Sequence, residues 1–317
     1  MIAPTQIPLR VREAEPLGPT LKRFFLEAAD GGLLPTASAG SHLVVTLEGP
    51  ERTWRNAYSI TSTPGERRTY QVIVRRTAQS RGGSVHLHEQ VRAGDVLHAA
   101  HPHNLFPLIA TAKKQVLIGG GVGVTPLLAH LAALRGPGAA PFEMHQFVAA
   151  AEVPLFERLL APFAGPQVHL HPSRTGCDIE GVLARQPLGA HVYVCGPTAL
   201  MDAVTDAALR LGWPKVAAHR ESFGDHRGGP SFLAVLARSN IEVQVGETQS
   251  LLEAIEAAGV DAPYLCRGGA CGQCMTGVLG GEPDHRDDVL TPEEHACGDR
   301  MMTCVSRSKT PRLVLDL

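Results

Sequence analysis

The sequence predicts three domains: a small β-rich barrel or sandwich, a doubly wound parallel α/β sheet, and a small α+β module. Three observations support this prediction. Short alternating stretches separated by Gly- and Pro-bearing turns fill the first hundred or so residues. Apolar strands then alternate with helical segments. Close to the C-terminus, three of the seven cysteines fall within nine residues.

Length and composition agree with packed domains. The chain has 317 residues, of which 44% are hydrophobic and 19% charged, so we expect several folded cores rather than disorder. A net charge of −2 gives no basic surface for nucleic acid or for an anionic membrane. Residues 1–10 lack a signal-peptide core, and the longest apolar run, residues 116–129, is short and interrupted by glycines. We therefore expect a cytoplasmic protein that does not enter the membrane.

The β-rich domain is predicted over residues 1–109 and contains two groups of polar residues. Arg55, Tyr58 and Ser59 place a guanidinium, an aromatic ring and a hydroxyl within five residues, although an ordinary strand with an exposed arginine explains them equally well. Residues 81–84 (RGGS) open a predicted helix over residues 85–91. Backbone N–H groups at a helix start, with Arg81 beside them, predict an anion site.

The α/β domain is predicted over residues 110–224. A strand at residues 116–118 leads into residues 119–126 (GGGVGVTP), and a later strand ends at Cys195, Gly196 and Pro197. Glycines allow a backbone to approach a pyrophosphate, and both turns fall at the C-terminal edge of a parallel sheet, where ligands bind in such folds. Cys195 can also be interpreted as an ordinary buried thiol at a strand end.

The C-terminal module is predicted over residues 232–317, after a linker at residues 225–231. Two strands, residues 232–238 and 241–245, precede a helix whose start carries the capping-box pair Ser250 and Glu253. A cysteine-bearing loop follows that helix.

The cysteines of this loop follow the spacing of a plant-type iron–sulfur cluster. Cys266, Cys271 and Cys274 form C-x4-C-x2-C, and Cys304 follows after 29 residues. The intervening glycines keep side-chain bulk away and let N–H groups point at sulfur. Structural zinc and disulfides are the alternatives, but Cys304 has no neighbouring ligand that would suit zinc. Cys297 fits the spacing less well and is predicted to be a packed or surface residue.

Taken together, these motifs resemble the phthalate dioxygenase reductase family, which includes vanillate demethylase reductases. The resemblance covers nearly the whole chain and rests on the ordered set of motifs: residues 55–59, 81–84, 102–108, 119–126, 195–197, 221–223 and 281–288, and the four cysteines.

The resemblance implies an antiparallel β-barrel flavin domain, an NAD(P)-binding domain and a β-grasp ferredoxin domain. It implies an electron-transfer oxidoreductase that passes electrons from NAD(P)H through FMN and a [2Fe–2S] cluster to a terminal oxygenase. FMN rather than FAD is the implied flavin. The oxygenase expected from the family is of the Rieske non-haem iron type, with a cytochrome P450 as the alternative, and the reductase is expected to be a monomer.

The family's functional residues map onto matching positions of this chain. The resemblance implies reaction-centre roles for Ser59, Thr125, Cys195 and Phe223. The implied flavin contacts are Arg55, Ala57, Tyr58, Ser59, Val72, Val74, Arg81, Gly82, Gly83, Ser84 and Phe223. The implied nucleotide contacts are Gly120, Gly121, Gly123, Thr125, Ser173, Arg174, Cys195, Gly196 and Pro197. The implied cluster ligands are Cys266, Cys271, Cys274 and Cys304.

One segment departs from the family pattern. Acidic residues suited to ribose hydroxyls commonly follow the third strand of the nucleotide domain, whereas this chain has Ser173 and Arg174 there. A serine and an arginine could bind a 2′-phosphate, so NADH is the default donor and NADPH the alternative.

Three further expectations concern what the protein does with its electrons. The oxygenase is expected to meet the rim of the cluster loop, at Arg267 and Gln273. A self-contained flavin-linked quinone reductase or nitroreductase is a rival function, although no pocket residue for an organic substrate stands out. A redox-sensing or metal-storage module without turnover is a second rival, although a sensor does not need a nicotinamide domain.

Overall fold

The chain forms two compact units, Met1–Glu221 and Ser222–Leu317. A computed structural model describes residues 6–49, 53–77, 82–173, 177–223 and 228–317. An antiparallel and a parallel sheet make up the first unit, and a mixed sheet makes up the second, so the predicted fold class is confirmed. The domain limits at residues 109, 224 and 231 stay predictions. No helix in the described ranges combines the length and the apolar character that crossing a bilayer requires.

The antiparallel sheet has seven strands and is nearly closed. They are β1 (Ile7–Pro16), β2 (Leu21–Ala28), β3 (Ser41–Glu48), β4 (Thr53–Ser59), β5 (Tyr70–Arg75), β6 (Val96–Ala99) and β7 (His103–Asn104). Their order is β4-β3-β6-β1-β2-β5, with β7 beside β3, and a bridge between Ile60 and Val72 brings the two ends together. Alternate side chains of β3, such as Leu43, Val45 and Leu47, point into the barrel core. Helix α1 (Gly83–Glu89) adds Leu87 to that core.

The parallel sheet has the strand order β10-β9-β8-β11-β12. Its strands are β8 (Lys114–Gly120), β9 (Phe142–Phe147), β10 (Val168–His171), β11 (Ala190–Cys195) and β12 (Ala218–Glu221). Its helices are α2 (Val124–Ala133), α3 (Val153–Leu160), α4 (Ile179–Ala184) and α5 (Thr198–Arg210). After Lys114 and Gln115, β8 is apolar because both of its faces are covered: Leu117 packs with α2 and α3, and Val116 and Ile118 pack with α4 and α5.

The barrel and the parallel sheet share buried contacts within the first unit. Leu21 and Ile73 of the barrel belong to the same apolar cluster as Leu117. The chain between β7 and β8 is also anchored, because Phe106 stacks on His130 at 5.2 Å and the Tyr193 hydroxyl accepts a 2.8 Å hydrogen bond from the backbone N–H of Ile109. The two sheets are therefore held together as one body.

The second unit has the arrangement of a β-grasp ferredoxin. Its main sheet has the order β14-β13-β19-β15-β17, built from β13 (Phe232–Leu236), β14 (Ile241–Val245), β15 (Met275–Gly280), β17 (Arg300–Met302) and β19 (Arg312–Leu315). β13 and β19 are parallel, and the other pairs are antiparallel. Two short strands, β16 (Pro283–Asp284) and β18 (Arg307–Ser308), pair beside it.

Two helices complete this unit, α6 (Leu251–Ala257) and α7 (Pro292–Cys297). The predicted capping box is present at the start of α6: the Glu253 N–H donates to Ser250 Oγ, and the Ser250 N–H donates to Glu253 Oε2. α6 buries Leu251, Leu252 and Ile255 against the sheet. A firmly started helix therefore precedes the cysteine loop.

Candidate functional site

The four predicted cluster ligands come together in the second unit. Cys266, Cys271 and Cys274 lie in the loop between α6 and β15, and Cys304 follows β17. The sulfur atoms of Cys274 and Cys304 lie 3.2 Å apart. Cys266, Cys274 and Cys304 are buried and Cys271 is half-buried, whereas Cys297, the rival fourth ligand, is exposed at the end of α7.

The thiols form two hydrogen-bonded pairs, Cys266 with Cys271 and Cys274 with Cys304. The hydrogen bond from Cys271 lowers the pKa of Cys266 to about 5, and the same pairing raises the pKa of Cys271. Hydrogen bonding between Cys274 and Cys304 lowers the pKa of Cys274 and raises the pKa of Cys304. Two thiol pairs of this kind fit a two-iron cluster with four thiolate ligands.

The backbone of the cysteine loop also fits a cluster. Arg267, Gly269 and Gly272 have positive φ angles of 54°, 75° and 74°, so the loop curls in a way that extended chains do not. A Cβ atom on Gly269 would lie 2.8 Å from Val305 Cγ2, which leaves no room for a side chain. The N–H of Gly268 points at the sulfur of Cys266 at 3.4 Å, as expected for an N–H group that tunes a cluster.

The expectation that Arg267 belongs to the oxygenase-facing rim is wrong. Its side chain is only 10% exposed and forms an ion pair with Glu256. Its guanidinium also lies 3.9 Å from the ring centroid of Tyr264. Gln273 is exposed as predicted. Met275, the first residue of β15, is also exposed, as is Val289, which adjoins Gly272 of the cysteine loop. We call Gln273, Met275 and Val289 the cluster rim.

The predicted flavin residues of the barrel lie on β4. Arg55, Ala57 and Ser59 alternate on one face of this strand, while Tyr58 faces the other way, packs against the barrel core and accepts a 3.1 Å hydrogen bond from Asn56 Nδ2. The hydroxyl oxygen of Ser59 is buried and makes no hydrogen bond to any residue in the described ranges. A buried hydroxyl without a partner fits a ligand close to this end of β4.

The predicted phosphate loop packs directly on β4. A Cβ on Gly82 would lie 2.6 Å from Trp54 Cζ2, and a Cβ on Gly83 would lie 2.3 Å from Asn56 Nδ2. These glycines therefore allow α1, with Ser84 in its first turn, to approach the strand that carries Arg55. Arg81 lies outside the described residues.

Val72 and Val74 of β5 have a different environment from the other predicted flavin residues. Both side chains are buried in the barrel core. Only the backbone of this part of β5 is therefore available to contact a flavin.

The two predicted nucleotide turns meet at the C-terminal edge of the parallel sheet. Gly119 is in register with Cys195 on the neighbouring strand. A Cβ on Gly120 would lie 2.7 Å from Pro197 Cδ, and a Cβ on Gly123 would lie 2.1 Å from the carbonyl oxygen of Cys195. The two turns lie at the same edge of the sheet, as the sequence predicted, and the glycines let them touch.

The remaining predicted nucleotide residues lie in several settings. Thr125 is buried near the start of α2, and its hydroxyl donates to the Val122 carbonyl at 3.0 Å. Cys195 is fully buried, and burial raises the pKa of its thiol, which agrees with the alternative of an ordinary strand-end thiol. Ser173 is exposed two residues after β10, while Arg174 lies outside the described residues. Phe223, near the start of the second unit, is 47% exposed.

Arg75 is a candidate that the sequence did not reveal. It ends β5 of the barrel, and its guanidinium forms a 2.6 Å ion pair with Glu152 in the α/β part of the first unit. A Cβ on Gly121 would lie 3.7 Å from Arg75 Nη1, so the barrel places a cation beside the glycine turn. Nothing in the local sequence could have indicated this, because the partners are far apart along the chain.

A family model agrees with the cysteine site. The model for the 2Fe-2S iron–sulfur cluster binding domain (Fer2) matches residues 235–309, which include all four predicted ligands.

The whole chain is similar to known proteins of several systems. The carnitine monooxygenase reductase subunit of Escherichia coli (strain K12) is 42% identical over 316 residues, which cover 98% of each chain. The haem-dependent oxidative N-demethylase beta subunit of Ectopseudomonas mendocina (strain ymp) is 39% identical over 314 residues, which cover 99% of each chain. Among solved structures, phthalate dioxygenase reductase, a modular structure for electron transfer from pyridine nucleotides to a 2Fe-2S centre, has a TM-score of 0.83 and 34% identity over 98% of each chain.

Proposed function

The chain belongs to the phthalate dioxygenase reductase family, and from that membership we propose that its electrons go to a terminal oxygenase of the Rieske non-haem iron type. It is an NAD(P)H-dependent oxidoreductase with FMN and a [2Fe–2S] cluster as cofactors, and it is the reductase component of an oxygenase system. The observation that carries this function is one chain holding a barrel, a glycine-turn parallel sheet and a four-cysteine loop. FMN converts one hydride into two single electrons.

Residues of the barrel are assigned to bind the flavin. We assign the flavin to β4 and the adjoining start of α1, because the Arg55 guanidinium suits a phosphate and the buried Ser59 hydroxyl needs a partner. Tyr58 is assigned to the flavin ring, and Gly82, Gly83 and Ser84, with Arg81, to the phosphate. Phe223 lies in the second unit, and its contact with the ring stays a prediction.

We assign the nucleotide to the two touching turns. Gly120, Gly121 and Gly123 allow its pyrophosphate to approach the backbone, and the turn of Cys195, Gly196 and Pro197 supports them from the neighbouring strand. Thr125 orders the start of α2 through its bond to the Val122 carbonyl. No general acid or base of the chain is needed, because hydride and electrons are what move.

The exit surface is assigned to the cluster rim. Met275 is 47% exposed and Val289 is 37% exposed, although both are large apolar residues. A Cβ on Gly272 would lie 3.5 Å from Val289 Cγ1, so this exposed apolar surface adjoins the cysteine loop. Exposed apolar side chains next to a redox centre suit a transient protein contact.

A haem-dependent oxygenase is the second candidate partner. It is favoured by the 39% identity with the beta subunit of a haem-dependent oxidative N-demethylase. The experiment mixes the NADH-reduced protein anaerobically with a purified Rieske oxygenase and, separately, with a haem-dependent oxygenase component. Rapid reduction of the Rieske centre and slow reduction of the haem support the proposal, and the opposite order favours the second candidate.

NADH is the proposed donor, with Ser173 positioned to meet the ribose. Steady-state kcat/KM with a cluster-dependent acceptor is compared for NADH and NADPH. A higher value for NADPH would overturn this choice and assign Ser173 to a 2′-phosphate.

A monomer is the proposed state, because the chain contains the elements for all three redox groups. The cytoplasm is the proposed compartment, because it supplies reduced nicotinamide nucleotides. Light scattering of the holoprotein tests the first point, since a dimeric mass contradicts it. Cell fractionation tests the second, and recovery of the protein outside the cytoplasm contradicts it.

A further inference from the structure

A cluster of metal-binding side chains lies behind the cysteine loop, outside the four ligands of the iron–sulfur site. Asp287, His285 and His295 each offer one ligand atom, and the three atoms lie within 4.8 Å of one another. The distance to Asp287 Oδ1 is 3.8 Å from His285 Nδ1 and 3.5 Å from His295 Nε2. Residues 281–288, which contain two of the three, were part of the sequence pattern but have no role in the electron path.

Both histidines present ring nitrogens that have no hydrogen-bond partner. The side chain of His285 is 8% exposed, and neither of its ring nitrogens makes a hydrogen bond of normal geometry within the described ranges, although the ring interacts with the backbone of His295. The Nε2 atom of His295 is also buried and has no partner there. Buried polar atoms without partners are destabilising, so the alignment of these nitrogens around one carboxylate oxygen calls for a ligand.

The carboxylate between them is fully buried. Asp287 Oδ2 accepts hydrogen bonds from the N–H groups of Val289 and Leu290, which fixes the side chain. Oδ1 accepts a 3.4 Å hydrogen bond from Ser306 Oγ and also faces the two histidines. A buried anion of this kind requires a compensating cation. Lys309 acts electrostatically on His285, but it is already paired with Glu282 at 2.7 Å.

We propose that His285, Asp287 and His295 bind one zinc ion. Tetrahedral zinc with bonds of about 2.0–2.1 Å to nitrogen and oxygen has ligand–ligand edges of about 3.3–3.4 Å. The two observed distances of 3.5 and 3.8 Å need only a small contraction to reach that geometry. A water molecule completes the fourth position, which His295 can leave accessible because its side chain is 32% exposed.

The proposed ion would stabilise the wall of the cysteine loop. The N–H of Asp288 donates to the carbonyl of Gly269 at 3.1 Å, and a Cβ on Gly269 would lie 3.3 Å from the Cα of Asp287. The ion also joins α7, through His295, to this segment. It therefore ties together two parts of the chain that lie between the third and the fourth cysteine.

In a second histidine group, ring nitrogens have hydrogen-bond partners within the protein. His145 and His171 lie with ring nitrogens 3.0 Å apart, and the other nitrogen of His145 bonds to Glu143 at 2.9 Å. Both rings therefore share hydrogen bonds within the protein and do not require an ion. His171 is the matched control for a surface-accessible histidine that should not contribute to zinc binding.

The experiment dialyses holoprotein, checked for two irons per chain, against zinc sulfate and then against metal-free buffer. We expect one zinc per chain in the wild type and in His171→Ala, and at least tenfold weaker binding in His295→Ala. The zinc K-edge spectrum should show only nitrogen and oxygen neighbours. No retained zinc in the wild type, equal retention in His295→Ala, or sulfur around the zinc would each overturn the proposal; sulfur would mean binding at the cluster cysteines or at Cys177 beside His145 and His171.

Discussion

The carbonyl oxygen of Cys195 lies 2.1 Å from the point that a Cβ atom on Gly123 would occupy. This contact joins the glycine turn after β8 to the turn after β11, and it brings two distant motifs to one edge of the sheet. Packing alone therefore explains why position 123 requires a glycine, without any contribution from a bound nucleotide.

Replacing Gly123 with alanine should therefore disrupt this edge. A methyl group there overlaps the Cys195 carbonyl, so we expect a loss of about 1–3 kcal/mol in stability, or a displaced turn. The KM for NADH should rise, while the cluster spectrum stays unchanged. Gly246→Ala is the control, because the nearest atom to its Cβ lies at 3.9 Å. An unchanged KM and melting temperature in Gly123→Ala would contradict the account.

The assignment of Cys304 rather than Cys297 as fourth ligand gives a clean pair of variants. In Cys304→Ser the iron content should fall below half of the wild-type value and the visible cluster bands should be lost, because a hydroxyl is a poor ligand for this iron. The flavin should be retained, since it belongs to the first unit. Cys297→Ser should keep both cofactors because Cys297 is exposed. Loss of the cluster in Cys297→Ser instead would exchange the two roles.

A charge at the cluster rim should separate delivery of electrons from their uptake. In Met275→Glu we expect the rate of oxygenase reduction to fall about tenfold, because a charged group must be desolvated in the contact. Reduction of ferricyanide at the flavin should keep its rate. Leu188→Glu, at a residue 98% exposed in the first unit, is the control for a charge placed on another exposed apolar position. Equal losses of rate with the oxygenase and with ferricyanide would show that the cluster rim is not the surface through which electrons leave.

Acid should weaken the first unit through buried histidines. His130 is fully buried, and burial lowers its pKa from 6.5 to about 4. The unfolded chain therefore takes up this proton first, and stability falls as the pH drops from about 6.5 towards 4. His42 acts in the same direction, since burial lowers its pKa to about 4 as well.

Calorimetry of the first unit's transition checks this dependence. Between about pH 7.5 and about pH 5.5, the wild type should lose about 1 kcal/mol more stability than His130→Gln, which keeps a donor for the Phe106 carbonyl. Identical pH dependence of the two proteins would show that His130 does not titrate in this way.

Most of the features that the sequence predicted correctly are determined by residues that are close together along the chain. The capping box at Ser250, the strand–turn–helix at residues 116–126 and the spacing of Cys266, Cys271 and Cys274 each depend on neighbours along the chain. What the sequence missed depends on distant contacts. Arg267 looked like an exposed loop arginine, but Glu256 and Tyr264 hold it inside.

Contacts between residues far apart along the chain also explain why the sequence did not reveal Arg75 and His295. Arg75 meets Gly121 only because the barrel packs against the parallel sheet, and no spacing between them could have indicated it. His295 lies beyond the motif that contains His285 and Asp287, and α7 brings it back to them. Periodicity indicates which faces are buried but does not indicate which buried polar atoms meet.

The central claim is that one chain carries electrons from a nicotinamide through FMN to the cluster. Anaerobic titration of the holoprotein with NADH, followed by visible absorption, tests it most directly. We expect the flavin and cluster bands to bleach together, with about 1.5 equivalents of NADH consumed per chain, because the flavin takes two electrons and the cluster takes one. Flavin bands that bleach while the cluster bands stay until dithionite is added would contradict the claim.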